Sequence, residues 1–295
     1  MKPQLAGLVL LLLLSCSGEK EQDSANSAFR LISYNVWYGF TEVPDRKAMW
    51  LNWMREQHPD VVSLQELNEY TPEQLAQDAE SWGNPYSVLL KEEGFPTGLT
   101  SRYPIEDVKR YLDGFHHGLL RARIKGIYFY VIHLHPSNWQ TRVKEIDLIL
   151  DNINSLPPNS SVVLVGDFNT FSSRDSIYYA HGRLEPFFGQ RDSAYQERNL
   201  NDGRLDYSVL DRLSDSGFVD LEYHFRPPDF TFTGSFPSKI EKEGAHGDLR
   251  RLDYVFISPD LLDQALAAAI IADDTTQVLS DHLPVRVDFR LTSQE

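Results

Sequence analysis

SVVLVGDFN, residues 161–169, is an apolar run from Val162 to Val165, closed by Gly166 and followed at once by a carboxylate and an amide. Pro157-Pro158 before it and Gly166 after it bound a β-branched segment too short for a helix. It reads as a buried strand. Asp167 and Asn169 therefore stand where that strand stops, at the rim of a rigid sheet where loops leave room for a ligand. Asp167-Phe168-Asn169 equally suits an Asx turn after the strand.

The pattern recurs on both sides. Upstream, Tyr128-Phe129-Tyr130-Val131-Ile132 ends at His133, with His135 close behind, and Lys125-Gly126 joins this strand to one over His117–Ile124 as a tight hairpin. Trp139, Val143, Ile146, Leu150 and Ile153 then recur at helical spacing. Nearer the amino terminus, Leu31-Ile32-Ser33-Tyr34 runs into Asn35, and Val61-Val62-Ser63-Leu64-Gln65 runs into Glu66. A helix over 44–57, with Met49, Trp50, Trp53 and Met54 as its apolar face, separates the two. Thr71-Pro72-Glu73-Gln74 starts another helix, with threonine at the N-cap, proline at the first helical position and glutamine at N3.

Tyr86–Leu90 reads as a further strand, Asp206–Ser214 as a helix, Phe230–Thr233 as a short strand and Gly234–Asp248 as a loop. Leu252–Ile257 is a strand carrying Asp253, and Asp281-His282 stands just before the alternating strand Val285–Phe289. Strands with helices inserted between them predict one α+β sandwich. A doubly wound sheet is the competing arrangement, but the chain has no Gly-rich phosphate loop.

The 295 residues carry 28 Lys+Arg against 43 Asp+Glu, a net charge of −15, which excludes a strongly basic wrapper of nucleic acid. The single cysteine excludes an internal disulfide framework and a cysteine-ligated zinc or iron–sulfur site. That cysteine is Cys16, at the end of Leu13-Leu14-Ser15-Cys16. Lys2 and the apolar stretch Leu5–Leu14 have the form of a secretory signal, too short for a membrane span. The segment resembles the bacterial lipoprotein box. That resemblance implies a signal peptide over 1–15, a lipid on Cys16 and a polar tether over 16–28. Ser17 after the cysteine, with no aspartate there, resembles outer-membrane sorting signals and implies an extracytoplasmic anchor, on the periplasmic or the cell-surface side. The remaining 29–292 is expected to be one catalytic domain and a monomer.

Carboxylates with amide oxygens are hard ligands that suit Mg²⁺ or Mn²⁺. Histidines beside them can donate to a phosphoryl oxygen, and an aspartate can hold a histidine tautomer. The strand-end residues thus point to metal-assisted hydrolysis of a phosphate ester.

Seven short motifs, in order, strengthen this: Ser33-Tyr34-Asn35-Val36, Leu64-Gln65-Glu66, Ser101-Arg102-Tyr103-Pro104-Ile105, Ile132-His133-Leu134, Gly166-Asp167-Phe168-Asn169, Arg251-Leu252-Asp253-Tyr254 and Ser280-Asp281-His282-Leu283-Pro284. Together they resemble the endonuclease/exonuclease/phosphatase superfamily, which includes deoxyribonucleases, repair exonucleases, neutral sphingomyelinases and inositol polyphosphate phosphatases. The resemblance implies a four-layered α/β/β/α sandwich of two mainly antiparallel sheets with flanking helices.

It also implies roles. Glu66 is the principal metal ligand, with Asn35, Asp167, Asn169 and Asp281 assisting. Asp167 positions or deprotonates the attacking water, Asn169 holds the phosphate and His133 bonds a phosphate oxygen. His282, oriented by Asp253, meets the charge that develops on phosphorus. The resemblance leaves open whether His282 or Asp167 is the base. His135, Trp37 and Trp139 are expected substrate contacts, while Tyr38 and Phe40 suit either a cleft lining or packing. His116 and His117 read equally as a polar strand start.

The chain shows no basic cluster interleaved with aromatics; Lys239, Lys242, Arg250 and Arg251 are diluted by Glu241, Glu243 and Asp248. The leading expectation is a phosphodiesterase or endonuclease/exonuclease acting on a phosphate ester, with nucleic acid or phospholipid as partner. Sphingomyelinase-like or phosphomonoesterase activity is the alternative. A non-catalytic surface-binding lipoprotein fits less well, because all eight first-rank residues are present.

Overall fold

The computed structural model describes residues 28–240 and 246–290. The signal segment, Cys16, nearly all of the tether, Lys242 and the last two residues of the expected domain lie outside them.

The chain opens with β1 (Phe29–Asn35), α1 (Lys47–Gln57) and β2 (Val61–Gln65), followed by α2 (Pro72–Ser81), β3 (Tyr86–Leu89), β4 (Gly98–Ser101) and β5 (Glu106–Tyr111). Next come β6 (Leu119–Ile124), β7 (Ile127–His133), α3 (Trp139–Asn154) and β8 (Val162–Asp167). A helical stretch carries α4 (Ser176–Tyr179) and α5 (Leu184–Tyr195), the small hairpin β9 (Leu200–Asn201) and β10 (Arg204–Leu205), and α6 (Ser208–Asp215). The chain closes through β11 (Val219–Asp220), α7 (Leu221–His224), β12 (Asp253–Ile257), β13 (Ala265–Ile270) and β14 (Val285–Phe289).

Two six-stranded sheets result, ordered β13-β14-β1-β2-β4-β3 and β11-β12-β8-β7-β6-β5. Each is antiparallel except for one central pair, β1 with β2 and β7 with β8. A helix crosses over between the strands of each parallel pair, α1 in the first sheet and α3 in the second. The four parallel strands end in Asn35, Gln65, His133 and Asp167, two rows at one end of the sandwich.

The continuous apolar runs have a simple cause. Side chains alternate across a strand, and in β8 both faces are covered. Val163 and Val165 enter the core between the sheets with Leu31, Val61 and Val255, whereas Val162 and Leu164 lie under Ile146, Ile149 and Val209 of the helices. On the opposite outer face, Trp50, Trp53 and Met54 of α1 and Leu75 and Ala79 of α2 cover Ile32, Tyr34, Val62 and Leu64. The molecule is thus the expected helix–sheet–sheet–helix sandwich.

Local signals hold where they rest on backbone chemistry. Thr71 Oγ1 accepts from Gln74 N at 3.2 Å and Gln74 Oε1 from Thr71 N at 2.8 Å, a complete capping box. Lys125 and Gly126 both take positive φ, 49° and 81°, as a two-residue hairpin turn requires. Elsewhere the structure differs. Phe230–Thr233 forms no strand; Phe232 instead stacks on Tyr178, with ring centroids 4.5 Å apart. Met49 is exposed at 45 %, one position off the stripe formed by Trp50, Trp53 and Met54. Pro44–Arg46 is a separate 3-10 turn before α1.

Candidate functional site

Register builds the site. On β8, Asp167 lies directly beside His133 of parallel β7 and Asp253 of antiparallel β12. Three chemically active side chains are thereby fixed in one row across the second sheet. The close approach needs Gly166, since a Cβ there would lie 2.0 Å from Ile132 O.

The first sheet supplies the other half. Asn35 Nδ2 donates to Glu66 Oε1 and to Asp167 Oδ2, both at 3.1 Å, and so bridges the two sheets. Trp37 N donates to Asn35 Oδ1 at 3.1 Å, which fixes that amide with its nitrogen toward the carboxylates. Glu66 itself has φ 59°, and Trp37, Tyr38, Gly39 and Phe40 all have positive φ. This strained turn brings Tyr38 N to 3.0 Å from Glu66 Oε2. His133 Nε2 stands 3.9 Å from Glu66 Oε1 and 3.8 Å from Asp167 Oδ2.

The loop before β14 closes the ring. Ser280 Oγ donates to Asn35 O at 2.7 Å, tying Asp281 and His282 to the end of β1. His282 Nδ1 and Asp253 Oδ2 are 2.8 Å apart, and His282 Nε2 points toward Asp167 Oδ2 at 3.8 Å. Phe236 packs its ring on His282, with centroids 4.7 Å apart. Ser235, in the stretch read as loop, accepts from Leu252 N and Asp253 N through Oγ, and its carbonyl accepts from Leu283 N. It fastens both members of the Asp253–His282 pair.

Asn169 N donates to Asp167 Oδ1 at 2.8 Å, so the Asx turn after β8 is present and serves the site by aiming that carboxylate. Asn169 Nδ2 donates to Leu134 O at 3.1 Å. Asn35, Glu66, His133, Asp167, Asn169, Asp253, Asp281 and His282 thus share one strand-end region. His135 lies just outside it, Trp37 follows Asn35 in the strained turn, and Trp139 is the half-buried first residue of α3. Phe95, Ser235, Phe236 and Glu145 gave no local sequence signal; each is placed by contacts between segments far apart in the chain.

The electrostatics are unbalanced. Burial pushes Asp167 up to about 7, against the attraction of His282 and reinforced by Asp253 and Glu66. Burial alone would lower His282, but Asp253 and Asp167 outweigh it and hold the imidazolium up to about 10. His133 is driven well below its ordinary value by burial and then by His117 and His282. Burial first, and then Glu66 and Asp281, raise the Tyr38 hydroxyl above its ordinary value.

Asp167, Asp253 and Asp281 therefore act on one imidazolium, with Glu66 beside Asp167 on Asn35. Asp253 Oδ1 is buried with no hydrogen-bond partner. This excess of hard oxygen donors fits a divalent cation. Among the described residues, Asp167, Asp253 and His282 place ligand atoms within 4.8 Å of one another. That set shares Asp167 with the expected ligands Glu66, Asn35, Asp167, Asn169 and Asp281, and the register of β8 with β12 brings Asp253 against it.

A model of the endonuclease/exonuclease/phosphatase family matches residues 32–282. No curated protein sequence matches the chain. Among solved structures, an AP endonuclease from Archaeoglobus fulgidus is 18% identical with a TM-score of 0.64, over 89% of this chain and 100% of that one. A 3′ phosphatase from Neisseria bound to a product DNA hairpin is 18% identical with a TM-score of 0.62, over 89% and 99%. TDP2 from D. rerio, complexed with a single-strand DNA product, is 17% identical with a TM-score of 0.61, over 90% and 99%. At these identities the likeness is one of fold.

Because His282 is held above its unfolded value, its pairing stabilises the metal-free protein fully below pH 6.5 and is lost as pH rises through about 10. In the metal-free protein, ¹⁵N NMR should find the His282 ring protonated through pH 8, and Asp253→Asn should bring its titration below pH 8. A wild-type ring that titrates near 6.5 would contradict this electrostatic account.

Proposed function

The chain belongs to the endonuclease/exonuclease/phosphatase family, and from that premise we propose that this metal-dependent phosphoric ester hydrolase acts as a phosphodiesterase of the endonuclease/exonuclease kind. The observation that carries the mechanism is the line Asp253–His282–Asp167 at the end of β8, closed by Asn35 and Glu66 from the other sheet.

Glu66 and Asp281, with Asp167 beside them, would hold the ion, Mg²⁺ or Mn²⁺, which when bound supplies Lewis-acid polarisation of the phosphoryl oxygens. The roles of the protein groups follow from their protonation. Against the effect of burial, Asp253 and Asp167 favour the imidazolium form of His282 in the metal-free protein, and its Nε2–H meets a phosphoryl oxygen as negative charge grows there. Asp253 holds the Nδ1 proton and the ring plane. Asp167, poised near 7 and aimed by Asn169 N–H, is the group able to take a proton from the attacking water. Asn35 bridges Glu66 and Asp167 through two donated hydrogen bonds. His133 presents Nε2 between the same two carboxylates.

The sequence also supports an address. Leu13-Leu14-Ser15-Cys16 after a short apolar run suits lipid attachment at Cys16, with residues 17–28 as a spacer that keeps the domain off an outer membrane. The described residues include no helix long and apolar enough to cross a membrane.

Residues 19–295, purified, should hydrolyse bis(p-nitrophenyl) phosphate with Mg²⁺ or Mn²⁺, and EDTA should stop the reaction. Glu66→Ala, Asp167→Ala and His282→Ala should each lower kcat at least ~100-fold while circular dichroism stays native. Wild-type turnover in any two of them would overturn the assignment. A palmitate analogue fed to cells should label the full chain and not Cys16→Ser; equal labelling of both would remove the lipid anchor.

A further inference from the structure

Four imidazoles crowd beside the strand-end site. His116 and His117 precede β6, and His133 and His135 sit at and beyond the end of β7. The His117 ring lies face to face on His133, with centroids 4.0 Å apart and planes 17° apart. His116 meets His117 at 4.4 Å and His135 at 4.0 Å. Phe95 joins His117 at 5.2 Å, and Tyr38 joins Phe95 at 5.4 Å. These six rings form a continuous wall. It is buried at His117 and His133 and open to solvent at His116 and Tyr38, with His135 and Phe95 half-buried.

The wall is built rather than accidental. Glu145, fully buried on α3, accepts from His116 N at 2.7 Å and His135 N at 2.9 Å, so one carboxylate clamps both histidine loops. Arg142, one helical turn away on α3, donates to His135 O at 3.1 Å and to Pro136 O at 3.3 Å. Ser137 N donates to His135 Nδ1 at 3.1 Å, which fixes that ring. His117 Nε2 and His133 Nδ1 are buried without hydrogen-bond partners. A phenylalanine would pack there without leaving a polar atom unpaired. Packed face to face and at tilted angles, the rings offer flat faces and N–H edges. A phosphate would seek charge; a flat, weakly polar ring would seek such a wall.

We propose that this wall is the subsite for the ester group flanking the scissile phosphate, and that the substrate is a phosphodiester carrying a planar heteroaromatic ring there, as nucleoside esters do. The inference rests on the phosphodiesterase reading. Its position fits that use, since the inner end of the wall is His133, whose Nε2 faces Glu66 and Asp167. Phe95, His116 and His135 act as binding residues, and Glu145 acts as a positioning residue through the backbone.

The test compares two esters with the same leaving group, thymidine 5′-(p-nitrophenyl phosphate) and methyl p-nitrophenyl phosphate, under Mn²⁺. Wild type should favour the thymidine ester in kcat/KM by about 5- to 100-fold, the value of one stacked base. The ratio should fall toward one in Phe95→Ala and His116→Ala and should be kept in Phe95→Tyr and His116→Phe, where a flat ring remains. Because p-nitrophenolate leaves in both reactions, the ratio is insensitive to losses in the chemical step. Thymidine 5′-monophosphate, and not methyl phosphate, should shift the His116 and His135 ring protons in ¹H–¹³C NMR spectra. Equal kcat/KM for the two esters in wild type, or an unchanged ratio in the alanine variants, would overturn the subsite and leave the phosphodiesterase reading standing. Failure to cleave either ester with metal present would overturn that reading, and the subsite with it.

Discussion

The functional end of this molecule depends on the pairing of β8. A strand that is buried on both faces cannot slip by one residue without turning its whole apolar set the wrong way. Its parallel partner β7 and antiparallel partner β12 are locked by the same requirement. The side chains at their common end, His133, Asp167 and Asp253, therefore have no freedom of placement. Gly166 allows the backbone approach that this register needs. The first sheet repeats the device with its own parallel pair, and Asn35 joins the two ends by donating to a carboxylate on each side.

Two buried acidic clusters in the same fold show what distinguishes structure from chemistry. Around Arg251, the carboxylates of Asp175, Asp220 and Glu222 are all engaged by guanidinium groups, Arg251 at 2.6–2.9 Å and Arg226 at 2.6–2.7 Å on Asp175 and Glu222. Two guanidiniums engage all three carboxylates of that cluster, which anchors the start of β12, two residues before Asp253. Among the described residues, the strand-end carboxylates Asp167 and Asp253 meet the His282 imidazolium, and Asp253 Oδ1 is buried without a hydrogen-bond partner. Uncompensated buried charge costs several kcal/mol per ion. A fold that pairs every carboxylate beside Arg251 with a guanidinium, yet leaves Asp253 Oδ1 buried and unpaired, is arranged to receive a cation there.

Much of this was legible in the sequence because the strands that matter are the most buried ones. SVVLVGDFN and YFYVIH show their strand character and their terminal polar residues together. Other parts carried weaker signals. β13 is ALAAAI, poor in β-branched residues, and exists because it pairs along β14 at the sheet edge. α5 contains a proline and a glycine and no clear apolar stripe. Ser235 looked like one more loop residue, yet its hydroxyl accepts two backbone N–H groups at the start of β12. His116 and His117 read as a polar strand start, because nothing local says that a distant glutamate will fold their loop against His133 and His135. The residues that hold others in place act through contacts that only the fold creates.

The central claim is that a divalent ion supplies the positive charge this strand-end site lacks. Thermal unfolding of the purified domain, with and without Mn²⁺, tests it most directly, alongside Glu66→Gln. Binding to the folded state alone raises stability as ion concentration passes the dissociation constant. The account predicts that Mn²⁺ raises the wild-type Tm in a saturable way, and that Glu66→Gln loses most of that rise. A wild-type Tm indifferent to Mn²⁺ and Mg²⁺, or a rise equally large in Glu66→Gln, would contradict it.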